Sequence, residues 1–255
     1  MSKYASLRAN FPGFGEARIP QDIYAFFDDF LGTSFSDTGV ADQSVWLKSE
    51  VATQAVGGVT ILDGTDDAED EAGGILKIAT GATVDEGDNL QVNGEAFHLA
   101  DGYPLYFETR INVADVSNLD FFIGLAPADT EIITGSKTTE INRIGFELEA
   151  GVLNFLSSTT TLEKRINSNI TETDDDWIRL AFFWDGDDNV HAWVDTNDNG
   201  SFDKYIGRVQ ASVATDYVQQ AIMFTPTIEA ITGTTATAEM MYIDYILCSQ
   251  QRYRE

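Results

Sequence analysis

Polarity along this chain repeats every two residues, and only an extended strand sorts side chains onto two faces with that period. In "PLYFETRINVA", Leu105, Phe107, Thr109, Ile111 and Val113 share one face, and Tyr106, Glu108, Arg110 and Asn112 the other. In "DWIRLAFFWDG", Ile178, Leu180, Phe182 and Trp184 alternate with Trp177, Arg179, Ala181 and Phe183. "MMYIDYILC" reads the same way, with Met241, Ile243, Tyr245 and Leu247 expected on one face. Clusters of Gly, Asn, Asp and Thr punctuate these runs as turns. About a dozen such runs follow Val59 by the strand-length and turn-spacing criteria for sandwiches. No long amphipathic helix, internal repeat or Pro/Gly/Ser linker interrupts them. The expectation is an all-β protein of two packed sheets over residues 26–255, preceded by an extended N-terminal arm, residues 1–25.

Charge narrows the partners. The chain has 42 acidic residues against 15 Lys and Arg, a formal net charge of −27. Nucleic acid is not expected as a partner, because phosphate binding needs basic residues to displace counterions. So acidic a surface suits solubility, high salt or divalent-cation loops. A hydrophobic fraction of 43%, with 16 Phe, 9 Tyr and 4 Trp, is enough to fill a core. Cys248 is the only cysteine, so an intrachain disulfide and a Cys-based zinc site are both excluded. In "YIDYILCSQ" it reads as a small buried hydrophobe. The first 20 residues contain no apolar stretch of signal-peptide length, and no 18 apolar residues run together. Synthesis in a cytoplasm without membrane insertion is therefore expected.

The segment "VDTNDNGSFDKY" carries the most ligand-like spacing. Asp195, Asn197 and Asn199 occupy alternate positions, Gly200 follows, and Asp203 closes the run. An EF-hand loop places oxygen ligands at positions 1, 3, 5, 7 and 9, Gly at 6 and Glu at 12. Position 12 here is Ile206, and the flanks "NVHAWV" and "FDKYIGRV" alternate as strands. Two readings follow: a calcium loop using Asp195, Asn197, Asn199 and Asp203, or a metal-free hairpin turn at "DNG". No other cofactor is indicated: "VGGVT" and "AGGIL" lack the lysine of a phosphate loop.

Carboxylates and aromatics supply the remaining candidates. "IGFELEAG" puts Glu147 and Glu149 on one strand face, about 7 Å apart along the strand. That spacing invites comparison with the carboxyl pairs of glycoside hydrolases, and an ordinary solvated face is the alternative. Trp177, Phe183, Trp193 and Tyr205 are candidates for a sugar-stacking surface, or for core and interface burial. His98 and His191 have no nucleophile or second histidine at a spacing that suggests a triad or a metal site. In the N-terminal segment, Arg8, Phe11, Phe14 and Arg18 read either as a disordered tail or as an arm that orders on a neighbouring subunit.

The succession "FFDDFLG", "SVWLKS", "GGVTILDG", "PLYFETRINVADVSNLDFFIGLA", "INRIGFELEAGVLNFLSS" and "WIRLAFFWDGDDNVHAWVD" resembles the concanavalin A-like, laminin-G-like jelly roll. It is most similar to the version in virion proteins of tailed bacteriophages, over about residues 26–249. That resemblance implies a capsid decoration or cement protein on the outer virion surface. It would bind the major capsid protein through Arg8, Phe11, Phe14 and Arg18 of the arm, as a homotrimer. A lectin-like module of a tail fibre or spike is the alternative. Glycanase members of the fold carry Glu-x-Asp-x-x-Glu on one strand. "FELEAGVL" supplies Glu147 and Glu149 without a third acid, so no enzymatic activity is expected.

Overall fold

The computed structural model describes residues 23–31, 33, 35–37, 44–52, 58–62, 74–133, 142–160, 162–170, 173–216 and 218–251. The arm residues Arg8, Phe11, Phe14 and Arg18 lie outside them. Every regular element among the described residues is a strand. The first seven are β1 (Ile23–Asp28), β2 (Phe35–Asp37), β3 (Trp46–Val51), β4 (Gly58–Leu62), β5 (Ile75–Ala79), β6 (Gly87–Val92) and β7 (Phe97–His98). Five central strands follow: β8 (Leu105–Val113), β9 (Leu119–Ala126), β10 (Arg143–Glu149), β11 (Val152–Ser158) and β12 (Glu163–Asn167). The last are β13 (Trp177–Trp184), β14 (Asn189–Asp195), β15 (Lys204–Gln210), β16 (Met223–Thr232) and β17 (Met240–Gln251).

They form two sheets. The eight-stranded sheet runs β15-β14-β13-β8-β17-β5-β4, with β1 also paired to β17. The nine-stranded sheet runs β12-β11-β10-β9-β16-β6-β3-β2, with β7 paired to β16. Among the described pairings, only β2 with β3 is parallel.

The period-two pattern explains which faces meet. Leu105, Phe107 and Ile111 of β8 and Ile178, Leu180, Phe182 and Trp184 of β13 enter one core. Phe121, Ile123 and Leu125 of β9 and Phe146 and Leu148 of β10 enter it from the other sheet. Phe182 stacks on Phe107 with ring centroids 5.0 Å apart and reaches Phe155 across the sandwich at 5.9 Å. Offset ring pairs of this kind add to the burial term. Cys248 is fully buried, as expected.

β17 breaks the expected phase. Its pairing with β8 slips between Ile243 and Tyr245, leaving Asp244 as an extra residue. A bulge shifts every later side chain to the opposite face. Met241 and Ile243 therefore point into the core together with Ile246 and Cys248. Tyr245 and Leu247, expected beside Met241 and Ile243, lie instead on the outer face of the sheet.

Candidate functional site

The outer face of the eight-stranded sheet collects the aromatics. β13 sends out Trp177, Arg179, Ala181 and Phe183, because its alternate residues fill the core. β14 adds His191 and Trp193, and β8 adds Tyr106, Glu108 and Arg110. Register aligns Tyr205, Trp193, Ala181, Glu108, Leu247 and Phe27 in one row across six strands. The four aromatics singled out in the sequence thus share one face, in two groups.

One group is the cluster at the β14–β15 edge. Trp193 lies 5.6 Å from Tyr205, and His191 lies 5.8 Å from Trp193 and 5.9 Å from Tyr205, centroid to centroid. His191 Nδ1 and the Tyr205 hydroxyl are 3.0 Å apart. Tyr205 is 50% exposed, and Trp193 and His191 are half-buried. Partial burial holds the His191 imidazole below its usual range, with Asp185 opposing and Arg208 adding to the shift. Phe183 continues the apolar surface beneath Trp193. Trp177 stands apart with the Arg110 guanidinium 4.2 Å above its ring, a cation–π contact.

The centre of the face is polar and tied down. The Tyr106 hydroxyl donates to Glu108 Oε2 at 2.6 Å, and the Tyr245 hydroxyl donates to Glu108 Oε1. Burial, then the Glu108 charge, pushes both phenols far above their usual range. Neither phenol ionises in any ordinary buffer, and Glu108 is held between two fixed donors.

The segment from Val194 to Tyr205 is a hairpin joining β14 to β15. Asp195 is fully buried, and its carboxylate accepts from the amides of Asn197 (3.2 Å), Asn199 (3.4 Å) and Gly200 (2.8 Å). Asp203 accepts from the Thr196 amide, the Thr196 hydroxyl and Asn197 Nδ2. Asn199 Oδ1 accepts from the Ser201 amide. A cation here would compete with backbone donors for the same oxygens. Among the described residues, no three His, Cys, Asp or Glu side chains converge on one point. The residue that sequence reasoning missed is Asp198, which falls between the alternate ligand positions. Its carboxylate receives Arg110 at 2.7 and 2.9 Å and Arg179 at 2.9 Å. This lays the hairpin across the sheet.

The expected carboxyl pair lies on the outer face of the other sheet. Glu147 and Glu149 do share a face of β10, with Phe146 and Leu148 in the core. Glu147 is 1% exposed; Arg143 meets one carboxylate oxygen at 3.0 Å and Arg165 the other at 2.7 Å. Arg165 also holds Glu149 and Glu163. Burial raises the Glu147 carboxyl, while the two guanidinium groups pull it down.

Residues 127–133 lie over this face. Asn89 and Gln91 donate to the carbonyls of Asp129 and Pro127, and Ser49 to that of Thr130. The amides of Ile132 and Ile133 donate to the buried carboxylate of Glu229 at 2.6 and 2.8 Å. Ile132 and Ile133 pack with Val51, Phe122, Ala126, Leu156 and Ile231.

No family model matches the chain, and no curated protein matches it. Solved structures do. A protein of unknown function from Shewanella oneidensis MR-1 is 14% identical, with a TM-score of 0.58 over 100% of this chain and 97% of that one. An endo-1,3-beta-glucanase from Streptomyces sioyaensis is 14% identical, with a TM-score of 0.56 over 92% of this chain and 99% of that one. Peanut lectin is 11% identical, with a TM-score of 0.52 over 91% and 99%. The fold is the concanavalin A-like jelly roll.

The jelly roll corrects one expectation. The missing third acid beside Glu147 and Glu149 predicts a chain without enzymatic activity. Glycosyl hydrolases and an endo-1,3-beta-glucanase share this fold, and that reading is overturned. One absent acid on one strand is too local an observation to exclude an activity that a whole family of sandwiches performs on other sequences.

Proposed function

We propose that this protein binds carbohydrate on the outer face of its eight-stranded sheet, with Trp193, Tyr205 and His191 as the stacking surface. The observation that carries the reading is the three-ring cluster, left partly exposed at an edge of the sheet. Pyranose rings present apolar C–H faces to such surfaces, and the Tyr205 hydroxyl, paired with His191 Nδ1, keeps hydrogen-bonding capacity for a sugar hydroxyl. The lectin and the glucanase that share the fold handle carbohydrate by name, which supports the reading at the level of ligand class. Affinity electrophoresis of the full chain through gels containing neutral or acidic polysaccharides tests it. Retardation by at least one polysaccharide, lost in a Trp193→Ala protein that remains folded by circular dichroism, is expected. Migration indifferent to every polysaccharide overturns it.

A second reading is a virion decoration protein on a capsid lattice. Its support is the edge that follows the N-terminal segment: Tyr24, Phe27 and Leu31 are 37%, 50% and 63% exposed. Among the described strands, β1 pairs only with β17. This reading requires the chain to copurify with particles at a copy number near that of the shell subunit. A few copies per particle, or none, removes it.

A further inference from the structure

We infer that the surface around Trp193 and Tyr205 takes an acidic sugar, a hexuronate-containing glycan whose carboxylate is met by Arg208. The inference rests on the carbohydrate-binding reading above and names its ligand class.

The argument starts from a backbone irregularity. Tyr205 and Arg208 are three apart, and an odd spacing in a regular strand puts them on opposite faces. The β14–β15 ladder slips between Ala192 and Trp193, so that Trp193 faces Tyr205, Ala192 faces Gly207 and His191 faces Arg208. Ile206 still packs against the core, and Val209 is fully buried within it. Arg208 is thereby returned to the outer face, opposite His191 in the ladder. Gly207 suits the slip: a Cβ there would meet Ile166 at 3.2 Å. The bulge builds a guanidinium into an aromatic cluster that a regular strand would have left without one.

The charge setting makes Arg208 unusual. Arg110, Arg143, Arg165 and Arg179 are each held by carboxylates within 3.2 Å. Arg208 is exposed and has no ion pair among the described residues, in a chain with 42 acidic and 15 basic residues. Its charge nonetheless reaches the cluster: it adds to the lowering that burial imposes on His191 and opposes the rise that burial imposes on Tyr205. A planar guanidinium fits a carboxylate with two parallel hydrogen bonds. A uronic acid supplies that carboxylate as a substituent of the same pyranose ring that stacks. Long-range repulsion from the acidic body falls off within about 8 Å at physiological salt. Asp185 also reaches His191, but its carboxylate is tied to the amides of Asp187, Asp188 and Asn189, which leaves Arg208 as the charge open to a ligand.

Titration calorimetry of the full chain with an oligogalacturonate and with its neutral methyl ester, equal in length, tests the assignment. Wild type is expected to bind the acid at least tenfold more tightly than the ester. Arg208→Gln, a surface change, should bring the two within about twofold, mainly by weakening the acid. Equal affinity for acid and ester in wild type, or a preference that survives Arg208→Gln, overturns the uronate assignment and leaves the stacking surface standing. If neither oligomer binds, the uronate assignment falls, and the gel survey with other polysaccharides decides separately whether the stacking surface falls with it. Loss of both ligands in Trp193→Ala, with the preference lost only in Arg208→Gln, separates the two contributions.

Discussion

Glu229 shows what a single buried charge asks of its surroundings. It has no solvent exposure, yet its carboxylate faces two backbone amides and lies on the same sheet face as Arg143. Burial dominates and pushes its pKa up to about 8, against the pull of those amides and of Arg143 and with a push from Glu131. In the unfolded chain the group titrates near 4.5. Between those values the folded state holds a proton that the unfolded state has lost, so stability falls as pH rises through the window. The contribution is complete below about 4.5 and gone above about 8. Denaturant midpoints measured from pH 5 to pH 9 should therefore decline in wild type. Glu229→Gln keeps an acceptor for one amide and removes the proton, so its midpoint should vary less over the same range. Parallel curves for the two proteins would show that Glu229 is not the group responsible.

Elements differ in how far the sequence announces them. β8 and β13 alternate cleanly, and their inward residues fill the core as the period requires. β17 alternates equally well on paper, but Asp244 bulges and turns Tyr245 outward. Alternation counts residues, and a bulge adds one without altering composition. The β14–β15 hairpin was legible from "DNG" between two alternating runs. Its fastening was not, because Asp198 matters through Arg110, 88 residues earlier in the chain, and through Arg179. The aromatic cluster was half-legible: Trp193 and Tyr205 stood out as residues, while Arg208 joins their face only through the slip at Ala192 and Trp193. Residues 127–133 gave no signal at all. "PADTEII" reads as a loop, and its role depends on Asn89, Gln91 and Glu229 reaching it from β6 and β16.

The whole molecule carries a net charge of −27, and its acids are not spread evenly. Where they meet, they repel: the Glu239 carboxyl is raised by burial and then by Asp115 and Asp174. Attraction is concentrated in a few clusters, such as Arg165 with Glu147, Glu149 and Glu163. Salt screens exposed charges separated by more than a Debye length and touches partly buried pairs much less. The repulsion is long-ranged and exposed, whereas the attraction is short-ranged and sheltered. Added salt should relieve the first more than it weakens the second, so the compact state gains. Raising NaCl from 10 to 500 mM is expected to lift the melting temperature by about 3–10 °C. For a chain of this size that corresponds to about 1–3 kcal/mol. Chloride is the appropriate anion, since sulfate would stabilise by exclusion from the surface whatever the charge. A melting temperature that falls with NaCl would mean that the arginine-centred pairs outweigh the self-repulsion of the acidic surface.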